Sequence, residues 1–459
     1  MSSSVVILAA GKGTRMRSER AKSLHMAAGR TLLEWAIDIA SAVQPAELSI
    51  VVGHGRDAVA AECPPGASVV VQEPQRGTGH AAQVGLGGIR NLDATIIVIP
   101  GDMPLITHES ITRLATAHEA EGNAATVMTV ELDDPSGYGR VVRDAGSVVA
   151  IVEERDASAE QRSITEVNTS VYAFAGSMLE AALTKVTDNN AQTEYYLTDV
   201  IGILVGDGHR VGAVIVPAIE GTGVNTHSQL ADVAATLRHR INMGLLDAGV
   251  AMIDPARTYI DAGVSVEAGA TILPDTYLSG ATTVAAGATV GPNVEAHDST
   301  IGTDSRVRYA VLDSAVVGPK ATVGPYAYLR PGAVLKEGAK AGTYVEIKGS
   351  VVGRNSKVPH LSYIGDAEIG EDSNIGAATI TVNYDGFSKH RTKVGDRARV
   401  GSDTMLVAPV SIGDDAYTGA GSVITHDVPD GALGVERNDQ RNIEGYADKH
   451  RKRAEEEAD

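Results

Sequence analysis

Aliphatic residues recur at every sixth position over much of residues 260–426. Neither an α-helix nor a flat strand has a six-residue period, so the spacing predicts a parallel β-helix in which each hexad is a short strand and a corner. We expect these side chains to point inward and to stack on their equivalents in the next coil. Three runs carry the period: Ile260, Val266, Ile272, Leu278, Val284 and Val290; Val317, Val323, Leu329, Leu335, Ala341 and Ile347; and Val394, Val400, Leu406, Ile412, Thr418 and Ile424.

The first 225 residues alternate short apolar runs with helical patterns, which predicts a doubly wound α/β sheet. The predicted strands are VVILAA, LSIVVG, SVVVQE, TIIVIPGD and VGAVIV, and residues 31–43 and 109–120 have the pattern of helices. Such sheets bind ligands beyond the carboxyl ends of their strands. The polar residues that follow these runs are therefore candidates for chemistry.

Residues 226–249 predict a single connecting helix, because Thr226 and Gln229 have capping-box spacing and apolar residues follow on one face. The chain is thus expected to contain an α/β domain at 1–225, this helix, and a β-helix domain at 250–459. Its final segment, DKHRKRAEEEAD, is charged without apolar periodicity. We expect that tail to be solvated and mobile.

The chain is acidic, with 39 Lys and Arg against 58 Asp and Glu and a net charge of -19. This balance argues against nucleic acid or an anionic membrane as the main partner, and it predicts locally basic pockets for any phosphorylated substrate. Cys63 is the only cysteine, which excludes an internal disulfide framework and fits a reducing compartment. With no signal-like segment and no apolar run of membrane length, we expect a cytoplasmic protein.

The first predicted strand runs into LAAGKGTRM, and Lys22 follows soon after. Glycines directly after a strand let backbone N–H groups approach phosphate oxygens, while Lys12, Arg15 and Lys22 supply neutralising charge. The spacing matches neither a P-loop nor a dinucleotide fingerprint. Taken alone, the pattern fits a plain tight turn equally well.

Seven motifs occur along the first domain in this order: LAAGKGTRM, QRGTGHA, GD after a buried strand, GYGR, EVNTS, TEYYLTD and GVN. Joined to a hexapeptide β-helix, they resemble the bacterial family of bifunctional N-acetylglucosamine-1-phosphate uridyltransferase/glucosamine-1-phosphate acetyltransferases over nearly the whole chain. The resemblance implies a Rossmann-like nucleotidyltransferase domain, a connecting helix and a left-handed parallel β-helix. It also implies acetylation of glucosamine 1-phosphate by acetyl-CoA, then Mg²⁺-dependent uridylyl transfer from UTP with release of pyrophosphate, giving UDP-N-acetylglucosamine for cell-wall synthesis.

In the first domain the resemblance implies a nucleotide site, a metal site and a sugar-phosphate site. Arg15 and Lys22 are the implied catalytic cations, while Asp102 and Asn225 supply hard oxygen ligands for one Mg²⁺. Gln72 can offer a uracil edge both a donor and an acceptor. The implied contacts of UTP and the UDP-sugar are Leu8, Ala9, Ala10, Gly11, Lys22, Gln72, Gly77, Thr78, Gly139, Glu153, Asn168 and Asn225, with Thr169 beside them. Pro100 and Ser170 depart from the family pattern.

Polar and aromatic residues interrupt the hexads around VPHLSYIGDAEIG and TVNYDGFSKHRT, where a solenoid should carry small or aliphatic residues. By resemblance His360 is the general base of acetyl transfer, a role that suits imidazole because it titrates near neutral pH. Glucosamine phosphate is implied to bind Arg330, Lys348, Tyr363 and Asn374, and acetyl-CoA to bind Ala377, Asn383, Tyr384, Ser402, Ala420 and Arg437. Thr343 and Ala378 depart from the family pattern. The resemblance further implies a homotrimer with acetyl sites between β-helices.

Two other interpretations stay open from the sequence. In one, the chain carries out only nucleotidyl transfer and the β-helix is a scaffold for oligomerisation. In the other, the chain is a regulatory module that binds nucleotide sugars without converting them. The intact set of Arg15, Lys22, Asp102 and Asn225 weighs against the second interpretation.

Overall fold

The computed structural model describes residues 3–458, and the chain divides into two compact units, Met1–Ile241 and Asn242–Asp459. The first unit is built on a nine-stranded mixed sheet. In spatial order its main strands are Val211–Ile215, Ala125–Glu131, Glu166–Ala175, Thr95–Pro100, Ser3–Ala9, Leu48–Val52 and Ser68–Val71, and a hairpin of Arg140–Asp144 and Ser147–Val152 pairs with Glu166–Ala175. All five strands predicted from the apolar runs are present, which confirms the α/β class.

Successive residues of the first strand point to opposite faces of the sheet, and both faces are covered. Val5 and Ile7 pack in one hydrophobic core, and Val6 packs in another. A strand buried on both faces reads as a continuous apolar run, which is why VVILAA lacks alternation. The α-helices of the unit are Leu32–Ser41, Arg56–Ala61, Thr78–Leu86, His108–Glu121, Ala159–Arg162, Gly176–Leu183 and Asp199–Gly206, and short 3-10 turns cover Thr14–Met16, Lys22–Leu24 and Ala218–Gly221. A two-stranded sheet joins Met26–Ala27 to Arg30–Thr31.

One strand departs from the parallel pattern. Glu166–Ala175 runs antiparallel to both of its neighbours, Thr95–Pro100 and Ala125–Glu131. The hairpin Arg140–Asp144 and Ser147–Val152 extends from the same strand. These strands do not follow from the apolar runs of the sequence, although the motifs GYGR and EVNTS lie at their ends.

The predicted connecting helix is a single helix, His227–Asp247. The Thr226 hydroxyl accepts from the backbone N–H of Gln229 at 3.2 Å, and the Gln229 side chain reaches back to the N–H of Asn225 at 2.8 Å. Val233 is buried in a small core of the first unit. The domain boundaries 1–225, 226–249 and 250–459 stay predictions.

The second unit is a parallel β-helix, and every residue of the three predicted registers is buried in it. Three sheets of eleven, ten and nine short strands form its faces. The first holds Ala251–Met252, Thr271–Ile272, Thr289–Val290, Arg306–Val307, Thr322–Val323, Lys340–Thr343, Lys357–His360, Asn374–Ile375, Arg399–Val400, Tyr417–Thr418 and Leu433–Gly434. The second holds Thr258–Ile260, Thr276–Ser279, Val294–His297, Ala310–Asp313, Ala327–Leu329, Glu346–Lys348, Tyr363–Gly365, Ile380–Val382, Met405–Val407 and Val423–Ile424. The third holds Ser265–Val266, Thr283–Val284, Thr300–Ile301, Val316–Val317, Val334–Leu335, Val351–Val352, Ala367–Ile369, Thr392–Val394 and Val410–Ile412.

A 3-10 turn, Pro255–Arg257, precedes the second strand of the β-helix. The charged tail forms a helix at Tyr446–Glu456, and none of its residues is buried. The tail is solvated as expected, but the sequence analysis did not predict that it is helical. In the part of the chain that the structure describes, no helix is long and apolar enough to cross a membrane.

Candidate active sites

A cavity of about 530 Å³ lies beyond the carboxyl ends of the strands Ser3–Ala9 and Thr95–Pro100 in the first unit. This is where parallel strands of an α/β sheet bind ligands. The cavity is lined by ten residues that the motifs predict for substrate or metal: Leu8, Ala9, Ala10, Gly11, Lys22, Gln72, Gly77, Thr78, Asp102 and Glu153. The structure therefore brings together residues from three of the seven motifs, LAAGKGTRM, QRGTGHA and GD, with three residues that lie between motifs, Lys22, Gln72 and Glu153.

Three polar side chains, those of Arg15, Asp102 and Asn225, gather near the Lys22 ammonium. Lys22 forms an ion pair with Asp102 and donates to the Oδ1 atom of Asn225 at 3.1 Å. Arg15 donates to the same oxygen at 2.8 Å. A carboxylate and an amide oxygen thus already face one cation, and this donor set fits Mg²⁺, which takes few protein oxygens and completes its shell with phosphate and water.

The base side of the cavity depends on Gln72 and Gly77. Gln72 is buried, and its Nε2 atom donates to the carbonyl oxygen of Gly77 at 3.0 Å. Gly77 has φ 107, and a Cβ atom there would lie 2.6 Å from the carbonyl oxygen of Tyr195. Only glycine fits this position. The Thr78 hydroxyl accepts from the N–H of Leu197 at 3.0 Å, which joins the helix Thr78–Leu86 to the segment TEYYLTD.

On the side of the cavity that the resemblance predicts for the sugar, Glu153 is half-buried. Burial raises the pKa of Glu153. A hydrogen bond of 3.1 Å from the Thr198 hydroxyl acts against that shift, whereas three nearby carboxylates add to it, those of Asp199, Asp156 and Glu194. The Glu153 carboxyl can therefore form hydrogen bonds with hydroxyl groups in a partly desolvated site.

Two residues predicted for the sugar are not among those that line the cavity, Gly139 and Asn168. The carbonyl of Gly139 accepts from the N–H of Asn168 at 2.9 Å. The side chain of Asn168 donates to the Tyr172 hydroxyl at 2.7 Å, and Tyr172 itself lines the cavity. Thr169 is buried and donates to the carbonyl of Met128 at 2.7 Å. These residues support the cavity wall from behind.

In the second unit, four of the six residues predicted for acetyl-CoA lie in a column along one corner of the β-helix: Ala377, Ser402, Ala420 and Arg437. Backbone hydrogen bonds join consecutive coils. The N–H of Ala378 donates to the carbonyl of His360 at 3.2 Å, that of Asp403 to the carbonyl of Ala377 at 2.7 Å, and that of Gly421 to the carbonyl of Ser402 at 2.8 Å. The Arg437 guanidinium then donates to the carbonyl of Ala420 at 3.0 Å. His360 is exposed at one end of this column, so the predicted base and cofactor residues share one edge of a single chain.

A charged cluster lies on the neighbouring sheet. Lys348 donates to Asp366 at 2.8 Å, and the Asn383 amide donates to the other oxygen of Asp366 at 2.6 Å. Although burial would raise the pKa of Asp366, these two hydrogen bonds lower it, and Asp366 in turn raises the pKa of Lys348. A Cβ atom on Gly365 would lie 2.4 Å from the Tyr363 hydroxyl oxygen and 2.7 Å from the Asn383 nitrogen. Lys348, Tyr363 and Asn383 therefore form one group.

Arg330 lies beside that group, because it pairs at 2.9 Å with Glu346, which is in register with Tyr363. Two other predicted residues stand apart from the group. Asn374 lies in another sheet, in register with Lys357 and Arg399. Tyr384 lies on the excursion that breaks the hexads, is 57% exposed, and donates to the carbonyl of Gly386 at 2.7 Å. One copy of the chain leaves these side chains on an open surface.

Comparison with known proteins matches both units. Residues 5–170 match the MobA-like NTP transferase domain, and residues 391–426 match the bacterial transferase hexapeptide of six repeats. The chain is 50% identical to the bifunctional protein GlmU of Streptomyces avermitilis over 97% of this chain and 94% of the relative. It belongs to the GlmU family. GlmU proteins of Thermobifida fusca and Corynebacterium efficiens are 48% and 47% identical, over 97% and 98% of this chain and 94% of each relative.

Membership of the GlmU family confirms the assignment made from the motifs. The chain is a bifunctional uridyltransferase and acetyltransferase of UDP-N-acetylglucosamine synthesis. The nucleotidyltransferase match falls on the unit that holds the cavity. The hexapeptide match falls on the unit that holds the corner column.

The structure gives a physical basis for two departures from the GlmU pattern. Ser170 has φ 62 and Ala378 has φ 59, and this left-handed region favours the glycine that the resemblance predicts at both positions. Thr343, a third departure, is in register with His360, and its carbonyl accepts from the N–H of Leu361 at 2.9 Å. Pro100 lines the cavity beside Asp102.

Four residues that the sequence did not single out lie beside the predicted site residues: Tyr172, Thr198, Asp366 and Lys389. Tyr172 and Thr198 line the first cavity, and Thr198 lies within the motif TEYYLTD that had been noted. In the second unit Asp366 links two predicted residues, and the nearby Lys348 lowers the pKa of Lys389. Lys389 thus adds a third cation to the predicted Arg330 and Lys348. A group of three cations suits the binding of a phosphate. A lysine in an irregular loop carries no signal of its own.

Proposed function

We propose that uridylyl transfer takes place in the cavity of the first unit and acetyl transfer at the corner column of the second. In this order, glucosamine 1-phosphate is acetylated first, and its product then receives UMP from UTP. The observation that carries the uridylyl assignment is the convergence of Asp102 and Asn225 on Lys22, with Arg15 on the same amide oxygen.

In uridylyl transfer, an oxygen of the sugar 1-phosphate attacks the α-phosphorus of UTP and pyrophosphate leaves. Because the nucleophile is already an anion, no general base is needed, and catalysis rests on positioning and neutralisation of charge. Asp102 and Asn225 would hold Mg²⁺, which supplies positive charge to the phosphate oxygens when bound. Lys22 and Arg15 are placed to neutralise phosphate charge once Lys22 leaves its ion pair.

In acetyl transfer, the amine of glucosamine 1-phosphate attacks the thioester carbonyl of acetyl-CoA. His360 takes a proton from the amine, the C–N bond forms, and the thiolate of CoA leaves. Asn383 or backbone N–H groups stabilise the oxyanion. Arg330 and Lys348 bind the sugar phosphate, and Arg437 pairs with a phosphate of CoA.

We further propose that the β-helix assembles as a homotrimer, with a neighbouring copy completing each acetyl site. Three neighbouring tyrosines support this, Tyr309, Tyr326 and Tyr344. The rings of Tyr309 and Tyr326 are tilted with centroids 5.5 Å apart, and those of Tyr326 and Tyr344 are stacked at 5.3 Å. The three tyrosines are 38%, 56% and 59% exposed. Tyr344 follows Thr343, which is in register with His360. Because exposed aromatic stripes are typical of protein interfaces, this corner suits a second copy.

A coupled assay tests the two reactions together. Glucosamine 1-phosphate, acetyl-CoA, UTP and Mg²⁺ are mixed, and free thiol and pyrophosphate are followed in the same tube. We expect both to be released, with pyrophosphate dependent on acetyl-CoA. Pyrophosphate from N-acetylglucosamine 1-phosphate without any thiol release would instead make the β-helix a scaffold. Light scattering during size exclusion tests the trimer, and cell fractionation tests the cytoplasmic location that we propose from these soluble substrates.

A further inference from the structure

Arg140 is the largest fully buried side chain among the described residues, with 1% of its surface exposed. A guanidinium does not lose its charge in a protein, so a buried arginine must be paired and hydrogen-bonded. Its Nη2 atom donates to the Oε2 atom of Glu154 at 2.6 Å. Two further bonds of 3.4 Å go to the carbonyl of Arg162, and Nη1 donates to the carbonyl of Tyr138.

The partners of Arg140 are neighbours in sequence of residues at the sugar site. Tyr138 and Arg140 flank Gly139, and Glu154 follows Glu153. A Cβ atom on Gly139 would lie 3.7 Å from the carboxyl carbon of Glu153. The guanidinium therefore bonds to both segments that carry this close approach, as well as to the end of the helix Ala159–Arg162.

We infer that Arg140 is a positioning residue for the sugar 1-phosphate in uridylyl transfer. It acts through Glu154 and the Tyr138 carbonyl, which fix where the Glu153 carboxyl and the Gly139 backbone stand. This inference rests on the proposed function, because it takes Glu153 as a contact of the sugar and Gly139 as part of the wall behind it. That contact exists before and during the reaction, so its loss should raise the KM for the sugar more than it lowers kcat.

The test compares Arg140→Lys with Glu154→Gln in the full chain. A lysine keeps the charge but cannot reach three acceptors in a planar fork, whereas the glutamine keeps the shape of Glu154 and removes its charge. We expect each change to raise the KM for N-acetylglucosamine 1-phosphate by about tenfold, with the KM for UTP within about twofold. Glu154 is 34% exposed at its side chain, so Glu154→Gln decides the matter if Arg140→Lys does not fold.

A matched control lies on the same strand. Arg143 pairs with Glu166 through two bonds of 2.6 and 2.7 Å, yet none of its bonds goes to residue 138 or 154. We expect Arg143→Lys to leave the KM for the sugar unchanged. The inference is overturned if Arg140→Lys and Glu154→Gln leave that KM unchanged, or raise it together with the KM for UTP. Failure of the proposed function is distinct, because the unaltered chain would then form no UDP-sugar.

Discussion

The two proposed sites are built in contrasting ways. The uridylyl site is a cavity inside one unit, whose wall is braced by buried groups such as Arg140 and Asn168. The acetyl site follows the outside of a solenoid, whose inward positions are filled mainly by aliphatic side chains and by small serines and threonines. A sheet with helices on both faces can enclose a ligand by itself, whereas a β-helix presents its functional side chains on a surface. Changes in the first site should therefore be contained in one copy, and changes in the second should respond to assembly.

The largest expected effect separates the two sites. Asp102→Ala removes one of the two oxygens that face the Lys22 cation, so we expect uridylyl transfer to fall by about a thousandfold or more. Acetyl transfer should stay within about twofold. Both rates are measured on the same preparation, with Asp207→Ala, which removes an exposed ion pair with Lys185, as the control. Parallel loss of both activities in a folded, assembled protein would contradict two separate sites.

His360→Ala should give the reverse result. Without a base for the amine proton we expect acetyl transfer to fall about a hundredfold to ten-thousandfold, while uridylyl transfer to added N-acetylglucosamine 1-phosphate stays unchanged. His297→Ala is the matched control, because His297 is an exposed histidine of the same β-helix that bonds to Ser279. If acetyl transfer is absent both before and after the His360 change, the β-helix is a scaffold. Equal, measurable transfer by both proteins would instead contradict the role of His360 as the base.

Gly77→Ala tests how tightly the first cavity is closed. Its Cβ atom would lie 2.6 Å from a backbone oxygen, whereas Gly66, also at positive φ, has open space around it. We expect Gly77→Ala to destabilise the first unit by about 2–3 kcal/mol and to lower kcat/KM for UTP about tenfold, against about 1 kcal/mol for Gly66→Ala. Thermal unfolding and steady-state kinetics check this. Equal losses of stability and activity in Gly77→Ala and Gly66→Ala would show that the cavity wall around Gly77 shifts to accommodate the added methyl group.

The pKa of Glu153 gives a smaller, pH-dependent effect. Burial raises this pKa, so the folded chain binds the proton more tightly than the unfolded chain. The free energy of unfolding should therefore fall as pH rises from the ordinary carboxyl pKa through the raised value. Glu153→Gln should remove that fall and be at least as stable at neutral pH, while its KM for the sugar phosphate rises. An unchanged slope of stability with pH would refute this.

The smallest expected effects concern Ser170 and Ala378, the two departures from the family pattern that have positive φ. A residue with a side chain is strained by about 1–2 kcal/mol in the left-handed region. Glycine relieves this strain, but it also gives the unfolded chain more conformational freedom, which offsets part of the gain. Ser170→Gly and Ala378→Gly should therefore each raise the free energy of unfolding by less than about 1 kcal/mol. Chemical denaturation of the full chain measures both. If only Ser170→Gly changes uridylyl kinetics and only Ala378→Gly changes acetyl kinetics, the two sites are separate at this level too.

Periodicity made the β-helix the easiest part to predict. Each inward position such as Val284 or Leu406 is set by the same local rule, so six-residue spacing alone identifies it. The parallel strands of the first unit were equally clear, because they are continuous apolar runs. The antiparallel strand Glu166–Ala175 and its hairpin were not, since Arg140, Asn168 and Thr169 are polar yet buried and so break the alternation expected of a strand. Arg140 lay in a noted motif, but its burial depends on contacts with residues 154 and 162.

The cap of the connecting helix has a consequence for where the chain can be cut. The Gln229 side chain bonds the backbone N–H of Asn225, and Val233 and Leu237 complete a small core with Met16 and Val224. A fragment that stops at residue 225 would lose both that bond and the helix side of that core. Both losses would fall next to Asn225, whose side-chain amide faces Lys22. A fragment carried through Ile241 keeps them, so a soluble, independently active first unit should be obtained by cutting inside the helix and not before it.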